Sequence, residues 1–225
     1  DTPDGRWDMA VRGLRSCLLA LRDEPVPVLD GGADDVADAL ATARDSGFHR
    51  LRWTTLGLGA LCRALEGRRD EAAELLDELA TSWSAVPALA SGEWVAAAAY
   101  AAALSGREAC VRVRGMLDRV GHRTPWAEAA LRTVTAAAAA ADGDQVRAGQ
   151  LYTAAAGLYG QIPATTDRML ALALAAGAFV RGDERAAAQV ALAEVRAFAL
   201  RNAAPGLLRL AGATNDPAWS PTLAS

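Results

Sequence analysis

"RGDERAAAQVALAEV", residues Arg181 to Val195, packs a stop and a start into one short stretch. An arginine and a glycine end one helix, an acidic pair opens another, and an alanine-rich face follows. The same grammar recurs upstream as "DGDQVRAGQLY" around Gly143, "SGREACVRVRGML" around Gly106, "EGRRDEAAELL" around Gly67 and "DGGADDVADAL" around Gly31. The glycines are spaced by 39, 37, 39 and 36 residues, counting back from Gly182 (182 − 143, 143 − 106, 106 − 67, 67 − 31). A period in the range of roughly 20 to 50 residues is the mark of a stacked repeat. Each turn has the same physics: glycine can take the left-handed conformation that ends a helix, and the Asp or Glu that follows suits the positive end of the next one.

Composition agrees. With 225 residues and 52% hydrophobic content the chain can bury a substantial core. Alanine makes up about a quarter of it, every basic side chain is arginine, and strand-forming residues are scarce, which favours closely packed helices. A formal charge of −4 and a pI near 5.3 leave no positive excess for phosphate, so nucleic-acid contact by this segment is not expected. Cys17, Cys62 and Cys110 lie far apart with no CxxC spacing and read as reduced core thiols, which fits a cytoplasmic compartment. The longest charge-free apolar run, Met169 to Val180, is too short to span a bilayer. The residues from Asp1 onward do not show the n-region and h-region pattern of a signal peptide, and the start at Asp1 without a methionine reads as a piece of a longer chain.

Five helix hairpins follow from the pattern. First helices are expected at 7–22, 49–65, 93–104, 125–141 and 165–180, and second helices at 34–45, 70–82, 108–120, 145–159 and 184–201. Proline and glycine interrupt the chain between units at "EPVP" (24–27), "SGFH" (46–49), "VPALASG" (86–92), "GHRTP" (121–125) and "QIPAT" (161–165). Leu75, Leu76 and Leu79, then Val190, Val195 and Phe198, repeat at helical spacing. Asp70, Glu71, Glu74, Asp77 and Glu78 fall mainly on the opposite side of their helix and read as a solvated face, because general acid–base work needs carboxylates converging in a cleft.

In "RWTTLGLGALCRALEGRRDEAAELL", Trp53, Leu56 and Gly57 open a first helix and Ala72 or Ala73 packs in the second. Trp7, Trp94 and Trp126 open other first helices in the same way. In these positions the chain resembles tetratricopeptide-like helical repeats. The C-terminal third, from "LYTAAAGLYGQ" to "LLRLAG", is similar to the end of the helical-repeat region in actinobacterial LuxR-type regulators with a STAND module, or in cyclase-linked ATPases. The resemblance implies an all-α fold, a right-handed α-solenoid of about five hairpins over residues 1–211 with an irregular tail at 212–225. It further implies a sensor or scaffold arm of a signalling protein, with any catalytic or DNA-reading module outside these residues.

Signatures of chemistry are absent. His49 and His122 stand alone beside helix starts with no HExxH or Cys/His cluster, so no metal is expected. "GLGAL" (57–61) has Cys62 where a dinucleotide loop needs glycine, and no strand precedes it. The chain contains no lysine, which excludes a P-loop. Asp30, Asp34 and Asp35 lack the spacing of a calcium loop. No GxSxG occurs, and Ser16, Ser82, Ser91 and Ser105 have no identifiable base. No cofactor is expected and the chain reads as a non-enzyme.

In a curved row of hairpins the first helices line the concave side, a groove suited to a protein or peptide partner or to another domain of the same chain. Arg50, Arg52, Trp53, Trp94, Tyr100, Trp126, Arg132 and Arg168 lie on those helices and are the candidate anchors, since Trp, Tyr and Arg combine contact area with a polar tip. Tryptophans opening successive helices are more often packing residues between units, so only one or two of them are expected to face the groove. The alternative function is binding of a small molecule in a sealed apolar pocket, which a long open groove would argue against.

Overall fold

The computed structural model describes residues 4–25, 34–84, 93–120 and 124–212, and every regular element in them is an α-helix. The first helices are α1 (Asp4–Leu21), α3 (His49–Leu65), α5 (Glu93–Ser105), α7 (Pro125–Ala141) and α9 (Thr165–Arg181). The second helices are α2 (Asp35–Asp45), α4 (Arg69–Ser84), α6 (Arg107–Leu117), α8 (Gln145–Gly160) and α10 (Arg185–Asn202). A short α11 (Pro205–Leu210) follows, which the repeat pattern did not anticipate. Gly31, Ser91, His122, the breaker at 86–92 and the tail from 213 onward lie outside the described residues, as does the side chain of Trp7.

The helices begin and end where the local chemistry places them. Asp34, Thr124 and Asp144 cap α2, α7 and α8 by accepting hydrogen bonds from the backbone N–H groups of Ala37, Ala127 and Arg147. Pro125 and Pro205 occupy the first turns of α7 and α11, where a missing N–H costs nothing. Gly67, Gly106 and Gly143 adopt the expected positive φ, at 82°, 117° and 89°. The fifth turn differs. Gly182 sits at φ −87° and Asp183 takes the left-handed conformation at 57°. Gly182 is small for another reason, because a Cβ there would stand 3.1 Å from Val146 Cγ2 at the start of α8.

Hairpins stack through their first helices: α1 packs on α3, α3 on α5 and α5 on α7, with the second helices filling the flanks. The succession then changes. Helix α9 packs chiefly on α8 and α10 and makes at most a marginal contact with α7, while α11 reaches back to α1. One continuous core runs from Cys17 to Ala211. Residues 94–102 of α5 are all buried, as expected for a helix apolar all round, because α3, α4, α6 and α7 surround it.

Helix α3 meets α5 at a glycine. A Cβ on Gly57 would lie 2.8 Å from the backbone oxygen of Trp94, and backbone cannot step aside. Gly57→Ala is therefore expected to cost about 1–3 kcal/mol by overpacking. Gly157, in the last turn of α8 with nothing within 4 Å of its Cβ position, provides the contrast. Gly157→Ala should stabilise by about 0.5–1 kcal/mol through helix propensity. Denaturant unfolding of both variants checks the pair, and equal shifts of the same sign would contradict the close α3–α5 crossing.

Candidate interaction groove between α8 and α10

The eight candidate anchors separate into two groups. Trp53, Trp94 and Tyr100 are buried, at 6%, 2% and 0% exposure, and so do not present a surface to a partner. Trp53 and Trp94 form a cluster with Trp83 of α4, whose ring centroid lies 4.8 Å from each. Tyr100 donates a 2.6 Å hydrogen bond to the carbonyl of Asp167 in the first turn of α9. Trp126, half-buried, meets Tyr159 edge-on at 5.9 Å. At α3 and α5 these side chains therefore pack between helices, and Tyr100 is tied to α9.

The arginines remain nearer to water. Arg50 is exposed. Arg52 reaches Glu78 Oε1 of α4 at 2.7 Å, and Arg44 of α2 binds the other oxygen of the same carboxylate at 2.5 Å. The Arg44 hydrogen bond is the main reason that the Glu78 pKa lies below its ordinary value. Glu78 therefore ties three helices together, and Asp77 pairs with Arg112 of α6, so the acidic face of α4 is not simply solvated. Arg132 pairs with Glu128 one turn back at 3.2 Å.

Arg168, of the eight, lines an open groove formed by residues of α8, α9 and α10. The groove holds about 530 Å³ between α8 and α10, with α9 as its floor. Thr153 and Gly157 of α8 form one wall, Val190 and Ala191 of α10 the other, and Leu172 and Phe179 the base. Glu194 of α10 binds Arg168 of α9 at the edge of the groove at 2.6 Å, and the two side chains are 47% and 36% exposed. The stem of Arg168 runs past Gly160, where a Cβ would stand 3.4 Å from it. Val190 is 73% exposed, leaving apolar surface facing water at the rim. This groove is not legible in the sequence, because its lining comes from three helices whose mutual packing no local pattern encodes.

The three buried thiols are kept neutral by their surroundings. Burial pushes the Cys62 thiol up to about 12 and the Cys110 thiol up to about 11, and raises Cys17 well above its ordinary value. Cys17 and Cys110 donate to the carbonyls of Leu58 and Ala102. A thiol held neutral in this way is a core group and a poor nucleophile. His49 stacks on Trp53 at 5.9 Å. Among the described residues no group of three or more His, Cys, Asp or Glu side chains is placed to hold a metal ion, and no helix is long and apolar enough to cross a membrane. No family model matches the chain, and neither a curated protein nor a solved structure does so.

Proposed function

We propose that the chain is a non-enzymatic interaction or sensor domain, built as a right-handed α-solenoid of tetratricopeptide type, from a cytoplasmic bacterial signalling or transcriptional regulator. Its partner is a protein or peptide segment, or another domain of the same protein, and it makes no nucleic-acid contact. The succession of α1, α3, α5 and α7 supports the repeat reading. The binding reading rests on the groove over α9, which is apolar at its base, carries both charges at its edge and opens to solvent. An open groove suits a helix or extended peptide, whereas a small molecule would call for an enclosed pocket.

Arg168→Glu places two carboxylates side by side and should weaken capture of the partner in a pull-down while helical circular dichroism is unchanged. The exchange Arg168→Glu with Glu194→Arg restores the pair inside the chain, so capture that stays weak identifies Arg168 as a partner contact. Gly157→Phe projects a ring into the groove from a position where the added Cβ meets nothing within 4 Å. Unaltered capture by both the Arg168→Glu and the Gly157→Phe proteins would remove the groove from consideration.

A further inference from the structure

The two ends of the described chain meet at one small element. Helix α11 is six residues long and is seated against backbone on two sides. A Cβ on Gly206 would stand 2.7 Å from the carbonyl oxygen of Leu21 and 3.1 Å from that of Ala20, at the end of α1. On the other side, a Cβ on Gly177 of α9 would lie 3.3 Å from the carbonyl oxygen of Leu210. Leu207 is fully buried, Leu21 is 3% exposed and Ala20 6%. Arg209 pairs with Asp23, 186 positions away in sequence, and both side chains remain well exposed.

We propose that α11 is a latch that holds the row of hairpins closed, and that its release frees α1 and α2 from α9–α11 as a distinct open state. Three observations carry this. Direct packing between α1 and either α9 or α10 is at most marginal, so α11 bridges the two ends. On the α1 side the seat is narrow, with one glycine, one buried leucine and an ion pair that water screens strongly. Consecutive hairpins, by contrast, share far larger contacts, α1 with α3, α3 with α5, α5 with α7 and α8 with α9, so the seam at α11 opens before any of them separates. The closed seam keeps Ala20, Leu21 and Leu207 from solvent, and opening uncovers them together. A ligand or neighbouring domain that binds the uncovered surface would shift the population toward the open state by its difference in affinity for the two.

Hydrogen exchange on the full chain tests the latch. In Gly206→Val the added side chain strikes backbone atoms, which no rotamer change relieves. Protection at residues 17–21 and 207–211 should fall together by about tenfold or more, with α3 and α5 unchanged and the radius of gyration increased. Loss confined to α11 would reduce it to a fraying end, and loss throughout the chain would make it part of one cooperative core; either outcome overturns the proposal. A second variant works in the opposite direction. Asp23→Cys with Arg209→Cys, joined by a short bismaleimide, should raise protection at both segments above the unlinked protein, and no change there also overturns it.

Discussion

Trp83→Ala is expected to lower the unfolding free energy by about 3–5 kcal/mol, the range for truncating a buried tryptophan. Trp83 is 5% exposed, and its ring is the centre of the three-indole cluster, 4.8 Å from Trp53 at an interplanar angle of 67° and 4.8 Å from Trp94 at 58°. Trp53 and Trp94 are themselves 6.0 Å apart. Removing the middle ring therefore deletes both close contacts and leaves a void between α3, α4 and α5, and tilted aromatic pairs contribute about 0.5–1.5 kcal/mol beyond area alone. The surviving indoles have little freedom to collapse, because the α3–α5 crossing is fixed by the backbone contact at Gly57. Trp126→Ala, at a half-buried site, should cost clearly less. Denaturant titrations followed by far-ultraviolet circular dichroism measure both. A loss below about 1 kcal/mol at Trp83 would mean that the cluster does not hold these helices together.

The same cluster shows what the sequence could and could not disclose. Ten helices stood out in the chain because local signals sufficed: the glycine steps, the acidic starts and the proline breaks all act within a few residues. Helix α6 ends at Leu117 rather than Val120, since its last turn closes on Asp118 and Arg119. Helix α11 escaped because six residues are too few for periodicity, although Pro205 followed by Leu207, Leu208 and Leu210 carried a faint start signal. Facing was harder than placement. Trp53, Trp94 and Tyr100 occupy the predicted first helices, but whether such a side chain lines a groove or fills a core depends on how far the row curls. That is set by contacts such as Tyr100 to Asp167, 67 positions apart. The burial of Arg63 was equally invisible, because although Glu66 lies one turn away its shortest partner, Asp34, is 29 positions upstream.

Arg63→Met carries the other large expected effect. The Arg63 side chain, on the last turn of α3, is only 5% exposed and binds Asp34 at 2.7 Å, Glu66 at 3.1 Å and Glu71 at 3.5 Å. Burial disfavours its charge, but hydrogen bonds to Asp34 and Glu66 outweigh that and hold its pKa above the ordinary arginine value. Methionine fills much of the same volume and leaves the carboxylates without their central cation. Breaking a buried pair in this way costs roughly 3–5 kcal/mol; the acids here keep some contact with water, so about 3 kcal/mol is expected. Arg68, beside the same acids but 42% exposed, is the control, and Arg68→Met should cost about 0–1 kcal/mol. Equal losses in the two variants would contradict the buried role of Arg63. A pH series adds a second reading. Burial alone would raise the Asp34 pKa, but the Arg63 hydrogen bond, the Ala37 N–H and the nearby guanidinium charges lower it from 3.8 to about 2. A carboxylate depressed on folding contributes stability that is fully present above its unfolded value and fades as pH falls toward its folded one. The difference in stability between the parent protein and Arg63→Met should therefore be constant at neutral pH and shrink between about pH 4 and 2. A difference that held its size across that interval would show that Asp34 owes its low pKa to something other than Arg63.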